Sequence, residues 1–361
     1  MSLLFSPLEL RELTIPNRVW MAPMCQYSAT DGLPDDWHLA HLGARAVGGA
    51  GLLLTEATAV VPEGRITPGD TGIWNDTQVA AWRRITDFVH GVGGLIGTQL
   101  AHAGRKGSVH APWQAAGAVP VDAGGWTPVG PTADGFPALH PAPRALDAAD
   151  LSRVVDAFAA ATRRSVEAGF DVVEVHAAHG YLLHEFLSPL VNTRTDAWGG
   201  SWENRVRLTL HVVEAVRAEW PAERPLLVRV SGTDWAPGGW TVEDTARLAP
   251  LLAERGADLV DCSSGGAIAG ADIPVGPGYQ VPIARAVRAA GVPSGAVGLI
   301  TDAAQAERIL ADGDADVVLL ARELLRDPYW PQRAAAVLGG SAAVPVQYER
   351  AHARRTAAGS R

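Results

Sequence analysis

Two imidazoles and a phenol stand close together in His176-Ala177-Ala178-His179-Gly180-Tyr181, directly after an apolar run that reads as a strand at 171–176. Histidines three apart and a tyrosine two further on, leaving a strand end, point into one pocket. Three readings stand side by side. The histidines are metal ligands, with His184 the nearest third candidate. They form a structural cluster. Or they are a pair of neutral donors that hold and polarise a carbonyl oxygen, with Tyr181 above as proton donor. An ordinary phenol, with a pKa near ~10, keeps its proton at neutral pH and can deliver it.

Other strand ends add groups suited to an electron-accepting, anionic partner below that pocket. Arg229, at the end of an inner strand, is expensive to bury unless it faces a negative or electron-rich group. Gln99 offers a donor and an acceptor together, which suits an imide edge. Cys25 at a strand end reads either as a core thiol or as a functional one, with Pro23, Met24 and Tyr27 beside it. Gly298 in GAVGLI and Arg322 in LLARELL fall where barrels bind phosphate through backbone N–H groups. A planar redox cofactor with a phosphate tail meets all of these demands, and FMN is the simplest one.

Positioning these residues requires strands whose ends converge. Short apolar runs at 18–22, 51–56, 95–100, 171–176, 225–231, 257–262, 292–297 and 315–320 alternate with amphipathic segments at 76–90, 149–168, 202–220, 241–255, 281–290, 302–311 and 328–338. Asp147, Thr241 and Thr301 read as helix caps, and Gly169, Gly256, Gly291 and Gly313 as helix stops. Strands that are apolar runs rather than alternations are buried on both faces, as in a parallel sheet under helices. Eight such units predict a (β/α)8 TIM barrel, which needs about 250 residues. An open doubly wound sheet is disfavoured because no G-x-G-x-x-G follows the first strand. The surplus falls at 1–16, read as a cap, and at 103–146, a long loop after the third strand read as a lid or substrate-channel wall.

The chain of 361 residues carries a net charge of −9 and no apolar run long enough for a membrane span, so neither nucleic acid nor membrane is expected as a partner. Two cysteines, Cys25 and Cys262, exclude a four-cysteine cluster built from this chain. With no signal peptide at the start, a cytoplasmic location is expected. Of 30 cationic residues only Lys106 is lysine. Nucleotide-composition bias accounts for the missing lysines but leaves Lys106 as a functional candidate, near where a nicotinamide cofactor's phosphates approach, with Arg105 as a solvated neighbour.

Several segments together resemble the old yellow enzyme family. They are Pro23-Met24-Cys25-Gln26-Tyr27, Glu56 to Val60 with Pro62-Glu63-Gly64-Arg65, Gln99 to Lys106 (QLAHAGRK), His176 to Leu183, Asn192 to Arg207 and Arg322 to Pro328. The likeness runs from about residue 3 to residue 350, and the early cysteine with the H-x-x-H form is similar to the bacterial thermophilic-like branch. The resemblance implies a noncovalently held FMN, NADPH or NADH as hydride donor, and an activated alkene, an α,β-unsaturated carbonyl or nitro compound, as substrate. It implies Tyr181 as proton donor to the α-carbon, His176 and His179 on the substrate oxygen, and Tyr27 opposite them. It implies Cys25 as a modulator of the flavin, Gln99 on its pyrimidine edge and Arg229 near N1/O2, with Ala22, Pro23, Met24, Ala57, Gly298, Ala321 and Arg322 on backbone and phosphate. The tail 341–361 resembles a segment that reaches a neighbouring subunit's active site, which brings Arg350 to the substrate and implies a homodimer or dimer of dimers. Ala321 departs from the family's usual glycine, and Trp198 and Trp202 from its tyrosine and leucine. Relatives that reduce dienoyl-CoA carry further domains and a four-cysteine cluster. The other readings are a flavin-binding sensor without alkene turnover, and a flavin-free barrel hydrolase or aldolase, for which no inner-strand lysine is present.

Overall fold

The computed structural model describes residues 2–136 and 140–351. Residues 137–139 of the expected lid and 352–361 of the expected tail lie outside the described residues. Among those described, eight parallel strands close into a barrel: β1 (Val19–Met21), β2 (Leu52–Ala59), β3 (Ile96–Ala101), β4 (Val172–Ala177), β5 (Leu226–Ser231), β6 (Leu259–Ser263), β7 (Ser294–Ala296) and β8 (Val317–Leu320). Each pairs with the next in chain order, and β8 pairs with β1, so the expected TIM barrel is the observed fold.

Helices α1 (Asp36–Val47), α2 (Asp76–Gly91), α3 (Ala148–Glu167), α4 (Leu182–Leu187), α5 (Trp202–Glu219), α6 (Val242–Glu254), α7 (Val281–Ala289), α8 (Ala303–Ala311), α9 (Arg322–Arg326) and α10 (Trp330–Leu338) follow the strands. Asp147 and Thr241 cap α3 and α6 with reciprocal capping boxes. The cap of α8 is Asp302, not Thr301, because the Asp302 carboxylate accepts from the Gln305 N–H. Gly169, Gly256, Gly291 and Gly313 all adopt the left-handed backbone expected after a helix.

The sequence pattern hides α1, because its buried face carries His38, His41 and Arg45 among the apolar residues. Leu42 and Ala46 of that face join the core, while its polar side chains find partners elsewhere. His38 meets Glu56, and Arg45 donates to the carbonyls of His41 and Leu324. Between the helices and the outer barrel wall lies a large apolar core that includes Trp82, Phe158 and Phe170. The barrel interior is filled separately by Trp20, Leu52, Leu54, Val172, Leu227, Leu259, Val317 and Leu319. An N-terminal hairpin, Leu8–Leu10 with Leu13–Ile15, packs Leu10 and Ile15 against this interior set. Burial of each stabilises by about 1.5–3 kcal/mol. Within 103–146 two short parallel strands pair, Val129–Gly130 with Arg144–Ala145.

Candidate active site

The β4–α4 turn is built by two consecutive left-handed residues, His179 (φ 60°) and Gly180 (φ 72°). A side chain at Gly180 is impossible, since a Cβ there would lie 2.1 Å from the Gly266 carbonyl oxygen. The turn is held by the Ser231 hydroxyl, which accepts from the His179 N–H at 2.8 Å, and by His184 Nδ1, which accepts from the Gly180 N–H at 2.8 Å. His184 Nε2 faces Asp234 at 3.0 Å, so both its ring nitrogens are used inside the protein and turned away from a metal role.

This turn brings His176, His179 and Tyr181 together. The His176 ring lies edge-on to both others, with centroids 5.2 Å from each. The Ala178 N–H points at His176 Nδ1, which therefore carries a lone pair and leaves the proton on Nε2. The Ser263 hydroxyl lies 2.7 Å from His179 Nε2 and 3.3 Å from Gln280 Oε1. Burial, then the Arg229 charge, holds both imidazoles well below their ordinary pKa, so both are neutral donors. Burial likewise raises the Tyr181 phenol well above its ordinary value, with Cys25 and Tyr27 adding to the effect.

Opposite stands the loop after β1. Tyr27 takes a left-handed backbone (φ 50°), and its phenol and the Cys25 thiol influence each other's titration. Burial raises both groups, with Asp70 and Glu56 contributing to each, so Cys25 is a thiol and not a thiolate. Cys25 and Tyr181 pack against the same small cluster of Ala57, Ile66, Ala101 and Ala103. Cys262 is wholly buried in the core. The β1 loop is anchored through Glu56, which accepts from the Gln26 N–H at 2.9 Å and sits 3.1 Å from His38 Nε2. A register shift between Leu54 and Ala57 lets β2 turn Glu56 towards this loop while Ala57 stays level with Gln99. Trp113, in the long loop, is 66% exposed and meets the Tyr27 ring edge-on at 5.6 Å.

Deeper in the barrel mouth, polar side chains run across four neighbouring strands. Gln99 pairs in register with Glu174, His176 with Arg229, and Arg229 with Asp261. Gln99 Nε2 donates to Glu174 Oε1 at 2.7 Å, which leaves its carbonyl oxygen as the free acceptor. Arg229 Nε stands 2.9 Å from Asp261 Oδ2. Burial, then Asp261, pushes Glu174 up to about 8, and burial also raises Asp261 against the pull of Arg229. Across the mouth, a cavity of about 150 Å³ is lined by Gly298, Leu299, Ile300, Ala321, Arg322 and Gln280, among others. Gly298 is strongly left-handed (φ 114°), and a Cβ there would lie 2.8 Å from Gln280 Nε2. The Ala22 N–H is spent on the Leu320 carbonyl, Pro23 is half-buried, and Met24 packs on the outer core.

Other sequence candidates fall elsewhere. His102 accepts from the Gly104 N–H and lines a separate cavity with Val61, Val129 and Leu146. Arg350 is exposed in the tail and does not join the cluster around Tyr181 within this chain. Arg105 and Lys106 are not solvated. Arg105 donates to the Ala267 carbonyl, and Lys106 Nζ donates to those of His179 and Gly266. Glu174, Asp261, Asp70 and Glu185 were not expected at the site. A carboxylate inside an otherwise apolar strand, as in DVVEVH and LVDCS, was the available signal for the first two.

The family model described as "NADH:flavin oxidoreductase / NADH oxidase family" matches residues 3–339. The chain is 48% identical over 352 residues to an NADPH dehydrogenase of Geobacillus thermodenitrificans, covering 97% of this chain and 98% of that one. It superposes on morphinone reductase in complex with tetrahydroNAD with a TM-score of 0.77 at 32% identity, covering 95% of this chain and 92% of that one. A 2-naphthoyl-CoA reductase bound to 2-naphthoyl-CoA superposes with a TM-score of 0.85 at 27% identity. There the match covers 94% of this chain but only 52% of the other, so this chain spans about half of that enzyme's length.

Proposed function

The chain belongs to the NADH:flavin oxidoreductase / NADH oxidase family, and from that premise we propose that it is an FMN-dependent reductase of alkenes conjugated to a carbonyl or nitro group, with NADPH or NADH as electron source. The observation that carries the reading is the convergence of two neutral imidazole donors with a protonated phenol above buried Arg229.

The residues fit the cofactor. Gln99 presents a free acceptor to an imide N–H, and Arg229 offers positive charge where a reduced ring system gathers negative charge. Gly298, Ala321 and Arg322 line a cavity of phosphate size. Ala22, Pro23, Met24 and Ala57 supply backbone around the ring. Bound there, FMN would supply two-electron hydride chemistry between the nicotinamide and the β-carbon of the alkene.

The chain's own groups do the rest. His176, through Nε2–H, and His179 hold the substrate oxygen and stabilise the charge that develops on it. Tyr181 gives its proton to the α-carbon. Tyr27 positions the substrate from the opposite side, its ring braced by Trp113. The long loop serves as a wall of the substrate channel. The whole chain acts as one catalytic domain.

No helix among the described residues is long and apolar enough to cross a membrane. We place the enzyme in the cytoplasm as a homo-oligomer whose tail brings Arg350 to a neighbouring subunit's site. Exposed Phe88 and Tyr348 line one surface cavity with Leu39 and Val47, which supports association, because apolar side chains grouped at a surface favour it.

The test is direct. The purified protein is expected to show an oxidised-flavin spectrum, to bleach anaerobically with NADPH and to recover its colour with 2-cyclohexenone. A colourless protein that takes up no FMN overturns the proposal, and bleaching that no activated alkene reverses replaces it with a sensor. Cys25→Ala should leave FMN stoichiometry intact and move the flavin midpoint by about 30 mV, the two-electron equivalent of ~1.4 kcal/mol. An unchanged midpoint in spectroelectrochemical titration would return Cys25 to a packing role.

A further inference from the structure

Lys106, the one lysine in the chain, lies in a single turn at Gly104–Lys106 after β3 and is half-buried. Its ammonium donates to two carbonyl oxygens from separate loops, His179 O at 2.8 Å and Gly266 O at 2.9 Å. The two loops approach this closely only because glycines face each other. A Cβ at Gly266 would lie 2.5 Å from the His179 carbonyl, as one at Gly180 would collide with Gly266. Neighbouring bonds fasten the same joint, since Glu185 Oε1 accepts from the Arg105 N–H and Arg105 donates to Ala267. The ammonium also stands 5.2 Å from the centre of the Tyr181 ring and 4.9 Å from that of Phe136.

We propose that Lys106 is a positioning residue for proton delivery: it ties His179 to the 264–267 loop and holds a positive charge over the Tyr181 ring that stabilises the phenolate as Tyr181 gives up its proton. The inference rests on the reading of Tyr181 as proton donor. In that step the Tyr181 O–H bond breaks and the proton forms a bond with the substrate carbon that carries the enolate electron pair. The O–H pair stays on the phenolate oxygen until water returns a proton, and Lys106 exchanges none. A cation over an aromatic face, removed from water, is a strong contact, and it strengthens as the ring becomes anionic.

Charge on Lys106 is therefore part of the device. Burial lowers the ammonium to about 8, with Glu185 opposing and Arg105 reinforcing the shift. The titratable groups around it are Arg105 on its own turn and His176, His179, Tyr181 and Glu185 across the joint. The histidines are neutral throughout, whereas Glu185, pushed up to about 8 by burial, titrates in the same range.

In the FMN-loaded enzyme, the rate of alkene-dependent reoxidation is expected to fall as pH rises through about 8, while reduction by NADPH does not follow that limb. A reoxidation rate that stays flat from pH 7 to 10 in the wild type overturns the proposal without any variant. Lys106→Met should slow reoxidation about tenfold at pH 7, keep reduction within twofold and lose the limb. Glu185→Gln should keep it, and loss of the limb in Glu185→Gln with retention in Lys106→Met overturns the assignment. In a Tyr181→Phe background, Lys106→Met should slow reoxidation by much less than tenfold, because only its hold on His179 remains to be lost. If Tyr181→Phe does not slow reoxidation, the parent reading fails. If it does and Lys106→Met alone does not, only the role of Lys106 fails.

Discussion

Replacing Tyr181 with phenylalanine should slow the alkene-dependent reoxidation of the reduced enzyme by about 10²–10⁴-fold, the usual contribution of a positioned general acid. Reduction by NADPH should change no more than two- to threefold. The asymmetry follows from what the phenol does and does not touch. Its ring packs edge-on to His176 and against the small apolar cluster below, contacts that phenylalanine reproduces. Only the hydroxyl is lost. Burial holds its proton well above the ordinary phenol pKa, so the wild-type group is fully protonated at any working pH. Anaerobic stopped-flow measurement of the two half-reactions checks this, and equal slowing of both would remove Tyr181 from the donor role.

The barrel strands were legible because residues buried on both faces must be apolar along their whole length. The predicted 171–176, for example, differs from the observed Val172–Ala177 by one residue at each end. The exceptions to that apolar pattern proved the more informative residues. Glu174 and Asp261 sit inside such strands and are tolerated because Gln99 and Arg229 meet them. Sequence exposes the oddity of a buried carboxylate but not its partner, since the partners come from strands 75 and 32 positions away. The surroundings of Arg105 and Lys106 were hidden for the same reason. A cation in a glycine-containing loop is ordinarily solvated, and nothing local shows that two distant carbonyls converge on it. Helix α1 is hidden because His38, His41 and Arg45 stand among the apolar residues of its buried face and break the apolar period.

Arg229→Met should cost about 3–5 kcal/mol of stability, lower the melting temperature by ~5–10 °C and abolish FMN retention. Arg229 is the positive group that the two buried carboxylates share. Glu174, pushed up to about 8 by burial and then by Asp261, is mostly protonated at neutral pH, so the native set is close to balanced as Arg⁺ with one carboxylate. A carboxyl whose folded pKa is raised binds more protons in the native state than in the unfolded one. Stability therefore falls as pH rises from the unfolded value near ~4.3 to about 8, and levels off beyond it. Without Arg229 both carboxyls shift further upward, and the decline should steepen and extend past pH 8 in melts taken from pH 5 to 9. The triple variant Arg229→Met, Glu174→Gln, Asp261→Asn removes every charge together and should recover most of the lost stability, because a buried set is costly to break and far less costly to delete whole. It should not recover FMN, since the positive charge that faces a reduced ring is still missing. A triple variant that melts like the wild type and also retains FMN would show that Arg229 serves the barrel alone, and that the cofactor's negative charge is met elsewhere.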